Sequence, residues 1–216
     1  MSDATGELYR QARLRIESLT ADEPLDTLAS VVPACPAWTV RDVIGHVVGV
    51  AEDLFAGHVG RFGDDQTAGQ VGRHRSQDVG QLLEHWADTA RPWEMGSAVS
   101  PAPPLLDLIT HEHDIRGALG RPGARDDPAV RIVSDRLLRF EPPVAVRIEV
   151  EDAAVRLGPS GVDPIVLRTT RWEVLRWRMG RRSRRQLAAM DWSRDPEAAL
   201  LDDLVFLGPA EADLVE

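Results

Sequence analysis

The chain contains no lysine; all 25 of its basic residues are arginine. It has a single cysteine, Cys35, which excludes an internal disulfide and any site built from several thiolates. Cys35 lies between prolines in "VPACPAW" with no obvious activating neighbour, so it reads as a small structural thiol rather than a nucleophile. Positive charge is in deficit: 35 acidic residues give a formal net charge of −10. An acidic chain repels phosphate backbones, so no nucleic-acid partner is expected. No apolar run approaches the roughly 20 residues that span a bilayer, so no membrane partner is expected. The N-terminal "MSDATGELYR" lacks the basic and apolar regions of a signal peptide, which points to the cytoplasm. Phosphate loops, Rossmann glycine patterns and serine-nucleophile elbows are missing too.

What is present suffices for one large domain or two small ones: 216 residues, 43% of them hydrophobic. Leu8, Ala12, Ile16 and Leu19 recur at helical spacing, predicting an amphipathic helix over 4–20. Thr39 is an N-cap candidate with Asp42 three residues on, so a second helix should run from about Val40 to Ala56. The glycine-rich, polar stretch 58–76 reads as a loop. Val79, Leu82, Leu83 and Trp86 mark a third helix, and a fourth starts near Pro103 or Pro104, after "SPAPP", and stops at "LGRPG". Beyond it, "DPAVRIVSDRLLRF" reads as a helix, and the alternation of Val144, Val146, Ile148 and Val150 as a strand. A pairing strand follows Glu151–Asp152, and "PIVLRTT" is another. Two short helices split by Gly180 and a closing helix complete the chain. The expected fold class is therefore α+β: a four-helix bundle over 1–122, then a small α+β domain over 123–216.

The fourth helix carries "DLITHEHDIRGALG", where charged residues and two histidines interrupt an apolar segment. Buried polar groups are costly unless satisfied. Asp107 and His111 are spaced i, i+4, one above the other on a helix, and can share a metal ion. A third ligand must come from a neighbouring helix. His46, in the middle of "DVIGHVVGV", has two readings: a satisfied core histidine, or that third ligand. Two histidines and one carboxylate make a site with open positions, as in catalytic zinc and non-haem iron. Asp114, three residues from His111, is within reach of the imidazole's other N–H. His113 points elsewhere, to a cavity or to solvent. Glu112 and Arg116 read as a surface ion pair, and His58, His74 and His85 as surface or loop residues. Eight arginines between Arg168 and Arg185, with Trp172 and Trp177 among them, read best as a solvated face.

"CPAWTVRDVIGHV", followed by "LLDLITHEHDIRGALGRP", resembles the N-terminal metal-binding domain of the mycothiol-dependent maleylpyruvate isomerase family, whose bundle is DinB-like. "WEVLRWRMGRRSRRQLAAMDWSRDP" is similar to the C-terminal segment of actinobacterial members, and arginine-only basicity fits such a source. The resemblance implies a divalent metal, zinc in the first instance, held by His46, Asp107 and His111. It also implies Asp107 in place of a family glutamate. The implied activity is that of an isomerase or S-transferase: mycothiol, held as thiolate, attacks a small electrophile such as maleylpyruvate. The partners are then a small thiol and an electrophilic substrate. Two other readings stand beside this one: metal-assisted hydrolysis, and a non-catalytic metal- or ligand-binding protein on the same bundle. No catalytic residue beyond the ligands is assigned.

Overall fold

The computed structural model describes residues 2–58, 63–96 and 104–216. It contains two compact units, 1–123 with the terminal residue 216, and 124–215. The first comprises α1 (Ser2–Thr20), α2 (Leu25–Leu28), the hairpin β1 (Val31–Val32) and β2 (Cys35–Thr39), then α3 (Val40–Phe55), α4 (Asp64–Arg73), α5 (Val79–Glu94) and α6 (Leu105–Ala118). Helices α1, α5, α3 and α6 form the bundle in that cyclic order: α1 and α3 each pack against α5 and α6.

Local chemistry sets these elements. The Thr39 side chain accepts the Asp42 N–H, and Asp42 accepts the Thr39 N–H, a reciprocal cap that starts α3 where β2 ends. Asp78 and Gln81 repeat the device on α5. The bundle interior is filled by Tyr9, Ile16, Ile44, Leu82, Trp86, Leu108 and Ile109, all fully or almost fully buried. Inside it the Trp86 indole N–H donates to the Tyr9 hydroxyl at 3.0 Å. Helix α6 is buried all the way round from Leu108 to Ile115, so its polar residues sit in the core and must be satisfied there.

The stretch expected to be a loop over 58–76 contains α4. Its sequence is poor in apolar residues, and it docks by a different route. Gly49 on α3 lets the α4 backbone come close: a Cβ at Gly49 would lie 2.7 Å from the Gln70 Cβ. Asp53 on α3, nearly buried, then accepts from Gln66, Gln70 and Arg73 of α4. Burial pushes the Asp53 carboxyl up, but the two amide hydrogen bonds and the arginine charge outweigh it and hold it below the ordinary carboxylate value. The short hairpin β1–β2 fills the proline-containing stretch between α2 and α3. Most of "SPAPP" lies outside the described residues.

The second unit starts with α7 (Pro128–Leu137), capped by Asp127 with proline in its first turn. Strands β3 (Val146–Val150), β4 (Ala153–Leu157), β5 (Ile165–Arg168) and β6 (Asp191–Trp192) form one sheet in the order β4-β3-β5-β6. Only the β3–β5 pair is parallel. Val146 and Ile148 point into the core as the alternation predicts. Helices α8 (Arg171–Arg178), α9 (Arg184–Ala188) and α10 (Ala198–Asp203) follow, and α8 packs on α7. The chain is thus α+β, a helical bundle and a small mixed unit.

The arginine-rich segment is not a solvated face. Arg171, Arg176, Arg178, Arg181 and Arg182 are buried, and only Arg168, Arg184 and Arg185 are exposed. Arg171 reaches Asp135 and Asp152, Arg182 pairs with Glu173, and Arg178 donates to the Leu204 and Phe140 carbonyls. Burial lowers the Arg178 pKa to about 10, still protonated at neutral pH. These side chains fasten helix ends and turns together. Among the described residues, no helix is long and apolar enough to cross a membrane.

Candidate metal centre

His46 lies two turns into α3, and its register is fixed by the Thr39 cap. Asp107 and His111 lie one turn apart on α6, the helix packed beside α3. The fold therefore brings the three together. His46 Nε2 is 3.4 Å from Asp107 Oδ1, and His111 Nε2 is 3.6 Å from the same oxygen. Both imidazoles are buried, while the Asp107 side chain is one-third exposed, which opens the cluster on that side.

The spacing separates this cluster from ordinary histidine–carboxylate pairs in the same unit. His85 Nε2 lies 2.7 Å and His74 Nε2 3.1 Å from the Glu52 carboxylate, normal hydrogen-bond lengths. At Asp107 both contacts are at or beyond the outer limit, and two nitrogens converge on one oxygen. Ligands on a tetrahedral zinc, with bonds near 2.0–2.1 Å, lie about 3.3 Å apart, close to what is observed. His46 Nδ1 is buried without a hydrogen-bond partner. The donor atoms lie within 4.8 Å of one another, a grouping that can hold a metal ion. The donor chemistry, two imidazole nitrogens and a carboxylate oxygen, fits a borderline divalent cation such as zinc.

The surroundings hold the ligands in place. Asp114 Oδ2 lies 3.0 Å from His111 Nδ1, and the Asp114 side chain is wholly buried. Cys35 donates to the same oxygen at 3.5 Å. Cys35, His111 and Asp114 form a second grouping within ligand distance, but it uses the ring edge that already faces Asp114. Trp38, on β2 just before the cap, lies over both imidazoles, with ring centroids 4.7 Å from His46 and 6.0 Å from His111. Tyr9, the chain's one tyrosine, is fully buried on α1. Burial raises its pKa above the ordinary value, and the Asp107 charge pushes the same way, so its hydroxyl stays protonated.

No family model matches the chain, and no curated protein matches it in sequence. Solved structures do. Its fold is that of the mycothiol-dependent maleylpyruvate isomerase. A crystal structure of that enzyme matches with a TM-score of 0.58 over 91% of this chain and 95% of the other, at 11% identity. A histidine-to-alanine mutant of the enzyme matches equally well, at 10% identity. At such identities the likeness is one of fold.

Several sequence expectations change. Glu112 and Arg116 pair at 2.9 Å, but not on the surface: the Glu112 side chain is 1% exposed and also takes a two-pronged contact from Arg15 on α1. His74 is buried between Gln77 and Glu52, and His113 is buried as well. His85 is paired with Glu52 on the surface. The contacts of Trp38 and Cys35 with the site were not read from the sequence. Trp38 carried a usable signal, since the residue just before the cap of α3 overhangs that helix's first turns.

Proposed function

We propose that this protein is a divalent-metal enzyme that uses a small thiol, mycothiol or a close analogue, to isomerise or S-conjugate a small electrophile. The observation that carries the proposal is the convergence of His46 Nε2 and His111 Nε2 on Asp107 Oδ1, with the cluster open at Asp107. His46, Asp107 and His111 would hold the metal, with zinc as the expected ion. When bound, such an ion lowers the pKa of a coordinated thiol and keeps it as the thiolate nucleophile.

The chain's own residues prepare the site. Asp114 holds His111 by its Nδ1 edge and leaves Nε2 turned to the cluster. The Trp38 ring covers the two imidazoles, shielding them from water on that side. Asp107 faces the side from which a thiol and its substrate can enter. Thiolate addition to an electron-poor double bond, rotation about the new single bond and loss of the same thiolate convert cis to trans with atoms and electrons unchanged. Conjugation stops after addition and protonation of the carbon. The fold likeness to a mycothiol-dependent isomerase favours the first course.

Metal-loaded protein should be assayed with maleylpyruvate and other small activated alkenes, with and without mycothiol. Turnover that needs both metal and thiol supports the proposal. Hydrolytic turnover without thiol replaces it with metal-assisted hydrolysis, and absence of any turnover by metal-loaded protein leaves a binding protein.

A further inference from the structure

His111 stands between two sets of ligand atoms. Its Nε2 edge faces the cluster with His46 and Asp107, and its Nδ1 lies 3.0 Å from Asp114 Oδ2. The same oxygen lies 3.5 Å from Cys35 Sγ, and a sulfur, a nitrogen and an oxygen of these three residues all lie within 4.8 Å of one another. Two ordered elements carry them, β2 for Cys35 and α6 for the other two. Sulfur and oxygen ligands on a tetrahedral zinc, with bonds of about 2.3 and about 2.1 Å, lie about 3.6 Å apart, close to the Cys35–Asp114 spacing. Nitrogen and oxygen ligands lie about 3.3 Å apart, so the His111–Asp114 contact needs to open by only a few tenths of an ångström. His111 and Asp114 are buried, but Cys35 is half-buried, and Pro33, Pro36 and Ala37 beside it are exposed. An ion therefore has an approach from the hairpin side.

We propose that Cys35, His111 and Asp114 form a second cation site, for a thiophilic divalent ion, and that it competes with the His46–Asp107–His111 centre for the shared ring. One sulfur among the donors makes this site softer than the first, whose donors are nitrogen and oxygen. Cys35 binds as the thiolate, its proton passing to water as the sulfur–metal bond forms. Two dications on opposite edges of one imidazole repel each other across a short distance. A thiophilic ion in the second site therefore weakens the first and acts as an inhibitor. The competition rests on the metal reading above; the existence of the second site does not.

Cadmium is the probe, because its bond to a thiolate absorbs in the ultraviolet. Titration of metal-free wild-type protein should raise this absorption to saturation. His111→Ala and Asp114→Asn should weaken the cadmium binding at least about 10-fold, and His46→Ala should leave it unchanged. No thiolate–cadmium absorption in the wild type overturns the proposal. Equal affinity in His111→Ala, Asp114→Asn and wild type also overturns it, since the ion then rests on a lone thiol. One equivalent of zinc loaded first should weaken cadmium uptake at sulfur in the wild type but not in His46→Ala; equal uptake with and without zinc overturns the competition. If a variant fails to fold, cadmium-113 NMR of nitrogen-15-labelled wild type takes its place. A sulfur-bound resonance coupled to a histidine nitrogen supports the site, and one without that coupling overturns it. Sulfur-bound cadmium in a wild type that retains no zinc sinks the functional proposal and leaves this site standing. Zinc held in a His46-dependent way, without sulfur-bound cadmium, does the reverse.

Discussion

Replacing His46 with leucine separates a metal ligand from a core histidine. The imidazole is buried on α3 against Trp38, its Nδ1 has no hydrogen-bond partner, and its Nε2 has only the long contact to Asp107. A buried polar atom without a partner costs about 1–3 kcal/mol. Leucine has a similar volume and no polar atom, so it removes that cost and gives up the tilted ring contact with Trp38, worth about 0.5–1.5 kcal/mol. The metal-free variant should therefore equal the wild type or exceed it by up to about 2 kcal/mol. With zinc the order should reverse. A ligand at about a hundred times its dissociation constant stabilises the folded state by about 2.7 kcal/mol, and His46→Leu should lose that gain. Urea unfolding, with chelator and with zinc, reads both limbs. A metal-free variant destabilised by more than about 2 kcal/mol, with a wild type indifferent to zinc, would make His46 a satisfied core residue and refute the reasoning.

Other outcomes follow from the same contacts. Glu112→Gln leaves Arg15 and Arg116 facing a neutral group in the core. Breaking a buried pair costs about 3–5 kcal/mol, and the partial exposure of both arginines brings the expectation to about 2–3 kcal/mol by urea unfolding. The depressed Asp53 pKa makes the docking of α4 acid-sensitive. A carboxyl lowered in the folded state contributes fully above its unfolded value, about 4, and its contribution fades as pH falls through the folded value. Hydrogen exchange of α4 amides should accelerate below about pH 4 before that of α3 does; simultaneous loss in both helices would contradict this.

Periodicity and capping made the bundle and the β3–β4 pair legible, because Ile16, Trp86, Val146 and Ile148 bury the faces their spacing assigns. The Thr39–Asp42 box was readable because both partners lie within one turn. Asp107 and His111 were readable for the same reason, whereas the approach of His46 is a fact of helix packing. Helix α4 escaped because its docking relies on a glycine of another helix and on amide hydrogen bonds to Asp53, not on an apolar stripe. The buried arginines escaped because composition marks arginine as a surface residue. Their partners, such as the Leu204 carbonyl for Arg178, lie far along the chain. The burial of His74 was missed although one partner, Gln77, is three residues away; the other, Glu52, is 22 residues away.

The most direct test of the central claim is elemental analysis of purified protein, wild type beside His46→Ala and His111→Ala, after reconstitution with zinc and removal of excess metal. The account predicts about one divalent ion per chain in the wild type and loss in both variants, each folded by circular dichroism. A wild type that retains no metal, or variants that retain it fully, would contradict a centre shared between α3 and α6.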